Sequence, residues 1–180
     1  NGTLQNSPAW NSTNKIAGAS ALEFNGGNWV LVPNSTVLNN NPNNLSVAAW
    51  VYFTDNTTGL GTMTQRGTCE QAGVNWLLHA DASVWGFDGT LWVVYHGDAS
   101  DDRINTGHTL PLNRWMHIAA TFDDNEIKIY LNGTKAANGT KTQPAKTNMN
   151  YYTYIGSDMC GHNFVGTIDE VAVFNRSLSS

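Results

Sequence analysis

A chain of 180 residues with 13% charged side chains and a net charge of −5 is long enough for one domain with its own core, and it carries no basic surface that would seek phosphates. That balance excludes nucleic acid as a partner, and no apolar stretch reaches the roughly 18–20 residues of a bilayer-spanning helix.

In chain order, NGTLQNSPAWNSTNK at 1–15 reads as an extended segment ahead of a domain over 16–180. Short runs rich in Val, Ile, Thr and aromatics follow: SALEF, NWVLV, LSVAAWVYF, LGTMTQR, VNWLLHA, TLWVVYH, RWMHIAATF, EIKIYLNG, NYYTYIGS and FVGTIDEVAVF. The Asn-rich NNNPNN at 39–44 separates two of them as a loop, since Pro42 and the lack of apolar residues exclude a strand. No window holds an uninterrupted helical stripe. In EIKIYLNG, Ile127, Ile129 and Leu131 alternate with Lys128 and Tyr130, which predicts a strand with one buried face. Asn132-Gly133 then supplies a type I′ turn into a hairpin. LSVAAWVYF and FVGTIDEVAVF are apolar or small on both faces and read as central strands. The whole is predicted to be an all-β sandwich of two antiparallel sheets.

The 23 Asn and 30 Ser plus Thr would give about four Asn-x-Ser/Thr triplets by chance, yet there are eight. They begin at Asn1, Asn11, Asn34, Asn44, Asn56, Asn132, Asn138 and Asn175, an excess expected of an extracellular or cell-surface glycoprotein. Cys69 and Cys160 lie in neither a CxxC pair nor a zinc spacing, so they fit a structural disulfide in an oxidising compartment, with two buried thiols as the other reading.

Catalysis has little to stand on. A β-sheet glycosidase needs two carboxylates on one strand face, and no Glu-x-Asp-x-Glu pattern is present. The pairs Asp101-Asp102 and Asp123-Asp124 read as turns, and Asp169-Glu170 would point to opposite faces. His79, His96, His108, His117 and His162 are scattered, so no enzyme is expected. Glycan binding would need aromatic faces with polar neighbours on one sheet, and Trp76, Trp85, Trp92, Tyr95, His79, His96 and Arg66 are the candidates.

The order of ALEFNGGNWVLVP, LSVAAWVYF, LPLNRWMHIAATFDDNEIKIYLNGTKAA, YYTYIGS and FVGTIDEVAVFNRSLS resembles the laminin G-like branch of the concanavalin A-like lectin/glucanase jelly-roll superfamily over about residues 16–179. The resemblance implies a jelly-roll fold and is silent on activity, which must come from the site. It also implies a structural Ca²⁺ held by Asp169 and carbonyls of the FNGG loop, with Asn25 and Gly26 in reach; Asn25 stands where such proteins usually carry Asp. Asp169 itself is expected on the strand face of Val165, Val171 and Val173. Proteins of this type usually have a further strand before the segment that matches NGTLQNSPAW. Its apparent absence suggests either an upstream segment that was removed or is unrecorded, or completion by a strand from another copy; the second implies a structural or adhesive subunit of a fibrous assembly, with a glycan-binding module as the alternative.

Overall fold

The computed structural model describes residues 1–36, 43–55, 61–67, 76–80, 90–96, 101–142, 144 and 151–179, with the backbone alone at His96. Fourteen strands are present among them: β1 (Thr3–Gln5), β2 (Ala9–Asn11), β3 (Ala21–Asn25), β4 (Trp29–Val32), β5 (Leu45–Phe53), β6 (Gly61–Arg66), β7 (Trp76–Ala80), β8 (Thr90–His96), β9 (Asp101–Thr109), β10 (Trp115–Phe122), β11 (Glu126–Leu131), β12 (Thr134–Thr140), β13 (Thr153–Ile155) and β14 (Val165–Phe174). They form two antiparallel seven-stranded sheets. Sheet A runs β1-β4-β13-β6-β7-β8-β9, and sheet B runs β12-β11-β10-β5-β14-β3-β2. This is the two-sheet antiparallel sandwich that the strand pattern predicts, in the jelly-roll form that the resemblance implies.

The core lies between the sheets. From sheet A it takes Met63, Trp76, Leu78, Leu91, Val93 and Tyr95; from sheet B it takes Val47, Val51, Ile118, Phe122, Ile127 and Ile129. Burying each such side chain contributes about 1.5–3 kcal/mol, so the alternation that aims them inward selects the register. The two-sided strands of the sequence are central: β5 lies between β10 and β14, and β14 between β5 and β3. The β11-β12 hairpin turns at Asn132 and Gly133, with φ of 49° and 79°, as a type I′ turn requires. No helix among the described residues is long and apolar enough to cross a membrane.

Residues 1–15 are part of the sandwich. β1 pairs with β4 at the edge of sheet A, and β2 pairs with β3 at the edge of sheet B, so one short segment borders both sheets. Residues 11–17 then cross the outer face of sheet B. Asn14 Nδ2 donates to Thr167 Oγ1, Trp115 Nε1 donates to Asn14 Oδ1, and the Ile16 and Ala17 amides donate to Asp169.

Three expectations need correction. Asp101 and Asp102 open strand β9 where a turn was expected, and Asp102 is buried, accepting from Thr142 N and Oγ1 at 2.7 Å each. A bulge between Asp169 and Ala172 shifts the parity of β14, with Glu170 at φ 49°. Asp169 therefore pairs with Trp50 on the outer face while Val173 pairs with Val47 toward the core, so Asp169 does not share a face with Val171 and Val173. The third concerns the glycan candidates and is taken up with the site. The loop at 39–44 falls mostly outside the described residues.

Candidate functional site

Trp76, Tyr95 and Arg66 do come together, since Arg66 pairs with Trp76 and Trp76 with Tyr95 across β6, β7 and β8. They face the other sheet. Trp76 is 1% exposed and Tyr95 0%, and the Tyr95 ring packs on Phe122 at 5.4 Å with Lys141 Nζ 4.8 Å from its centre. Arg66 is likewise buried, donates to Asn34 Oδ1 at 3.3 Å, and has its pKa lowered by burial. These three are interior groups and do not form a glycan surface. For Trp76 and Tyr95, parity with Leu78 and with Leu91 and Val93, two or four residues away on the same strands, is the signal that places them there.

The opposite parity faces outward. His79 and Trp92 are direct partners across β7 and β8, Thr62 lies beside His79 on β6, and Asn105 beside Trp92 on β9. This row, Thr62, His79, Trp92, Asn105, crosses four strands on the outer face of sheet A, from buried Thr62 to exposed Asn105. His96 continues β8 with its backbone opposite Asp101, and its side chain lies outside the described residues, as do Trp85, Cys69 and Asn56. No described cysteine is free.

A loop of residues 156–164 joins β13 to β14 beside this row. It closes on itself through Phe164 N to Gly156 O (2.9 Å) and is tied to β6 by Gly156 N to Met63 O (3.0 Å) and Thr62 N to His162 O (3.4 Å). Gly156 and Gly161, at φ 89° and 98°, supply the left-handed residues its tight path needs. Inside it, the buried Asp158 carboxylate accepts from the amides of Cys160 (2.8 Å) and His162 (3.1 Å), and its other oxygen pairs with His162 Nδ1. Asp158 thereby fixes the His162 ring, which meets the His79 ring edge-on at 5.6 Å and 80°. His79 Nδ1 in turn lies 3.0 Å from Thr62 Oγ1. Burial, helped by the neighbouring His162 and opposed by Asp158, pushes the His79 pKa down to about 4. At neutral pH, His79 is an uncharged imidazole between a hydroxyl, a second imidazole and an indole. Of this row, the half-buried Trp92 and the exposed Asn105 are the members that reach solvent and can stack on and hydrogen-bond a ligand. The Thr62 hydroxyl is fully buried and has no substrate access as a nucleophile.

The residues expected to hold calcium are engaged in hydrogen bonds: Asp169 Oδ2 accepts from Ile16 N (2.8 Å) and Ala17 N (3.1 Å), and Oδ1 from Glu170 N (2.9 Å). Asn25 pairs with Val165, four residues from Asp169 along β14, its Oδ1 accepts from Gly27 N, and Gly26 N donates to Phe164 O. No cluster of three His, Cys, Asp or Glu able to hold a metal occurs among the described residues.

A group the sequence reading did not single out lies on the outer face of sheet B. Trp50 meets His117 at 5.2 Å and Tyr52 meets Trp115 at 5.5 Å, all four half-buried. Trp50 and Tyr52 sit one residue off the core positions Val47, Ala49, Val51 and Phe53, which is the pattern that reveals them.

Two stacked antiparallel seven-stranded sheets in this order define a jelly-roll domain, and the fold alone does not fix its activity. The chain belongs to the concanavalin A-like lectin/glucanases superfamily, matching its Laminin_G_3 family over residues 24–180. No curated protein matches it. Among solved structures it is similar to domain 4 of AbnA, an extracellular arabinanase of Geobacillus stearothermophilus solved with arabinotriose: 23% identity, 99% of this chain, 84% of that one, TM-score 0.76. It is also similar to the binding domain of Paraclostridial Mosquitocidal Protein 1 (14%, 99% and 45%, TM-score 0.73). A third likeness is to the binding domain of botulinum neurotoxin DC in complex with SialylT (14%, 99% and 44%, TM-score 0.71). The chain thus spans most of the first and under half of the other two, and at these identities the likeness shows the fold.

Proposed function

We propose that this protein is a non-catalytic, extracellular carbohydrate-binding module whose ligand lies on the outer face of sheet A. The observation that carries this reading is the half-buried Trp92 beside the exposed Asn105 on the outer face of sheet A, a ring face next to an amide, backed by the buried His79 and the Asp158–His162 pair. The arabinotriose and SialylT complexes of structural neighbours support the ligand class. The non-catalytic part is supported by how the carboxylates are used: Asp102, Asp123, Asp158 and Asp169 each accept backbone amides, and Asp101 pairs with Arg103 at 3.0 Å. The extracellular part rests on the eight sequons, of which Asn1, Asn132, Asn138 and Asn175 are exposed, and on reading the two cysteines as a structural disulfide. Isothermal titration with arabinotriose and a sialylated trisaccharide tests the reading. Saturable binding that Trp92→Ala weakens at least tenfold is expected; wild-type affinity in that variant rejects this surface.

A second reading, the structural or adhesive subunit of a fibrous assembly completed by a neighbouring copy, draws on β1. That strand has only three residues and ends sheet A among the described residues, leaving an edge to which another strand can add. Electron microscopy of concentrated protein decides it: fibrils favour it, and a monodisperse monomer does not.

A further inference from the structure

β9 and β12 close one side of the sandwich against each other, while the opposite side is bordered by β1 and β2. On that side a cleft of about 190 Å³ enters between the sheets. Phe24 and Ile168 line its apolar depth, and Ser20, Asp169 and Glu170 its polar part. Trp10 lines it too and is 66% exposed, the most solvent-open of the large apolar side chains described. We propose that this cleft is a second carbohydrate site, which takes a single ring of a neutral sugar and is separate from the surface around Trp92.

The chemistry follows from what each group has left to offer. Trp10 contributes nothing to the core, so its indole face is available for the C–H patch of a sugar ring. The Asp169 carboxylate is already occupied by three backbone amides, whereas Glu170 is exposed at the bulge, at a φ of 49° that a side chain with a β-carbon rarely adopts. A strained residue beside a cleft is a common mark of function. Glu170 Oε and the Ser20 hydroxyl can accept from sugar hydroxyls while the ring covers the apolar depth. The volume is well below the roughly 300–1,000 Å³ of pockets that enclose drug-sized ligands, which limits the occupant to about one ring. Two carboxylates in the lining, on a chain of net charge −5, disfavour an acidic sugar. The same cleft has the size for an apolar side chain from another copy, and the experiment separates the two.

Wild type, Trp10→Ala, Trp10→Phe, Glu170→Gln and Trp92→Ala are titrated with cellotriose, xylotriose, mannotriose and a sialylated trisaccharide, following tryptophan fluorescence and heat. Size-exclusion chromatography with light scattering runs in parallel. At least one neutral trisaccharide is expected to bind with an affinity that falls tenfold or more in Trp10→Ala and several-fold in Glu170→Gln, while Trp10→Phe keeps most of it and Trp92→Ala leaves this component in place. The sialylated trisaccharide is expected not to compete for it. Sugar binding that survives Trp10→Ala unchanged and disappears in Trp92→Ala overturns the second site and leaves the first standing. Self-association abolished by Trp10→Ala, with no change in sugar binding, assigns the cleft to a neighbouring copy and overturns the proposal as well.

Discussion

The imidazole of His162, held by Asp158, lies edge-on against the imidazole of His79 at 5.6 Å, and His79 faces Trp92 across the β7–β8 pair. One buried carboxylate thus orients the ring against which His79 packs in the outward row of sheet A.

His79 makes stability depend on pH. Unfolded, it takes up a proton near its ordinary 6.5; folded, only near 4, because burial disfavours the charge. Between those values the unfolded state binds more protons, so the stabilisation is complete above pH 6.5 and is lost as pH falls toward 4. The limiting loss is about 3 kcal/mol. Denaturant unfolding at pH 7.5 and 4.5 is expected to show a larger acid loss for wild type than for His79→Gln, and equal losses would rule out His79 as the source.

Removing the carboxylate of Asp158 leaves the amides of Cys160 and His162 and the His162 ring without their acceptor. Asp158→Ala should cost about 2–4 kcal/mol. It should also release the His162 ring, visible as an altered His162 imidazole shift by NMR in the folded fraction. An unchanged stability would mean that water replaces the carboxylate.

Asp169→Ala should cost about 2–3 kcal/mol, since it frees the amides of Ile16, Ala17 and Glu170. The expected local signature is faster amide exchange across residues 11–17. Chelation gives the complementary test: with Asp169 already accepting three backbone N–H groups, excess EDTA should leave the melting temperature where it was. A drop of several degrees, restored by Ca²⁺, would show a calcium site that these residues do not account for.

Gly166→Ala should prevent folding or cost at least on the order of 3 kcal/mol. The backbone there has φ 141°, and a β-carbon would stand 2.1 Å from the Tyr52 carbonyl oxygen of the adjacent strand. Expression as a soluble, cooperatively melting protein would contradict the close β5–β14 approach.

The fold was legible because its strands declare themselves: the alternation of Ile127 and Ile129 with Lys128, and the turn at Asn132-Gly133, need no tertiary information. What stayed hidden has identifiable causes. β9, DDRINTGHT, is an edge strand that buries only Asp102 and Thr106 fully, so it carries no hydrophobic signal. The bulge at Glu170 flips the parity of β14 at a residue whose type does not announce a left-handed backbone. The glycan candidates were chosen by residue type, and type does not separate Trp76, which is core, from Trp92 on the neighbouring strand, which faces out. The Asp158–His162 pairing leaves no trace in strand periodicity because a loop makes it.

The place of β14 in sheet B has a consequence for the order in which the molecule can be made. The strand lies between β5 and β3, yet its first residue follows the last of β5 by 112 positions. While the ribosome is still adding that stretch, β5 has β10 on one side and an open ladder on the other. Sheet B therefore cannot close in step with synthesis: the two halves on either side of the gap must wait, with apolar Val47 and Val51 half covered, for the final strand to slot between them. Pairings so distant in sequence are closed slowly, and a nascent chain in this condition depends on the company it keeps until residues 165–174 emerge.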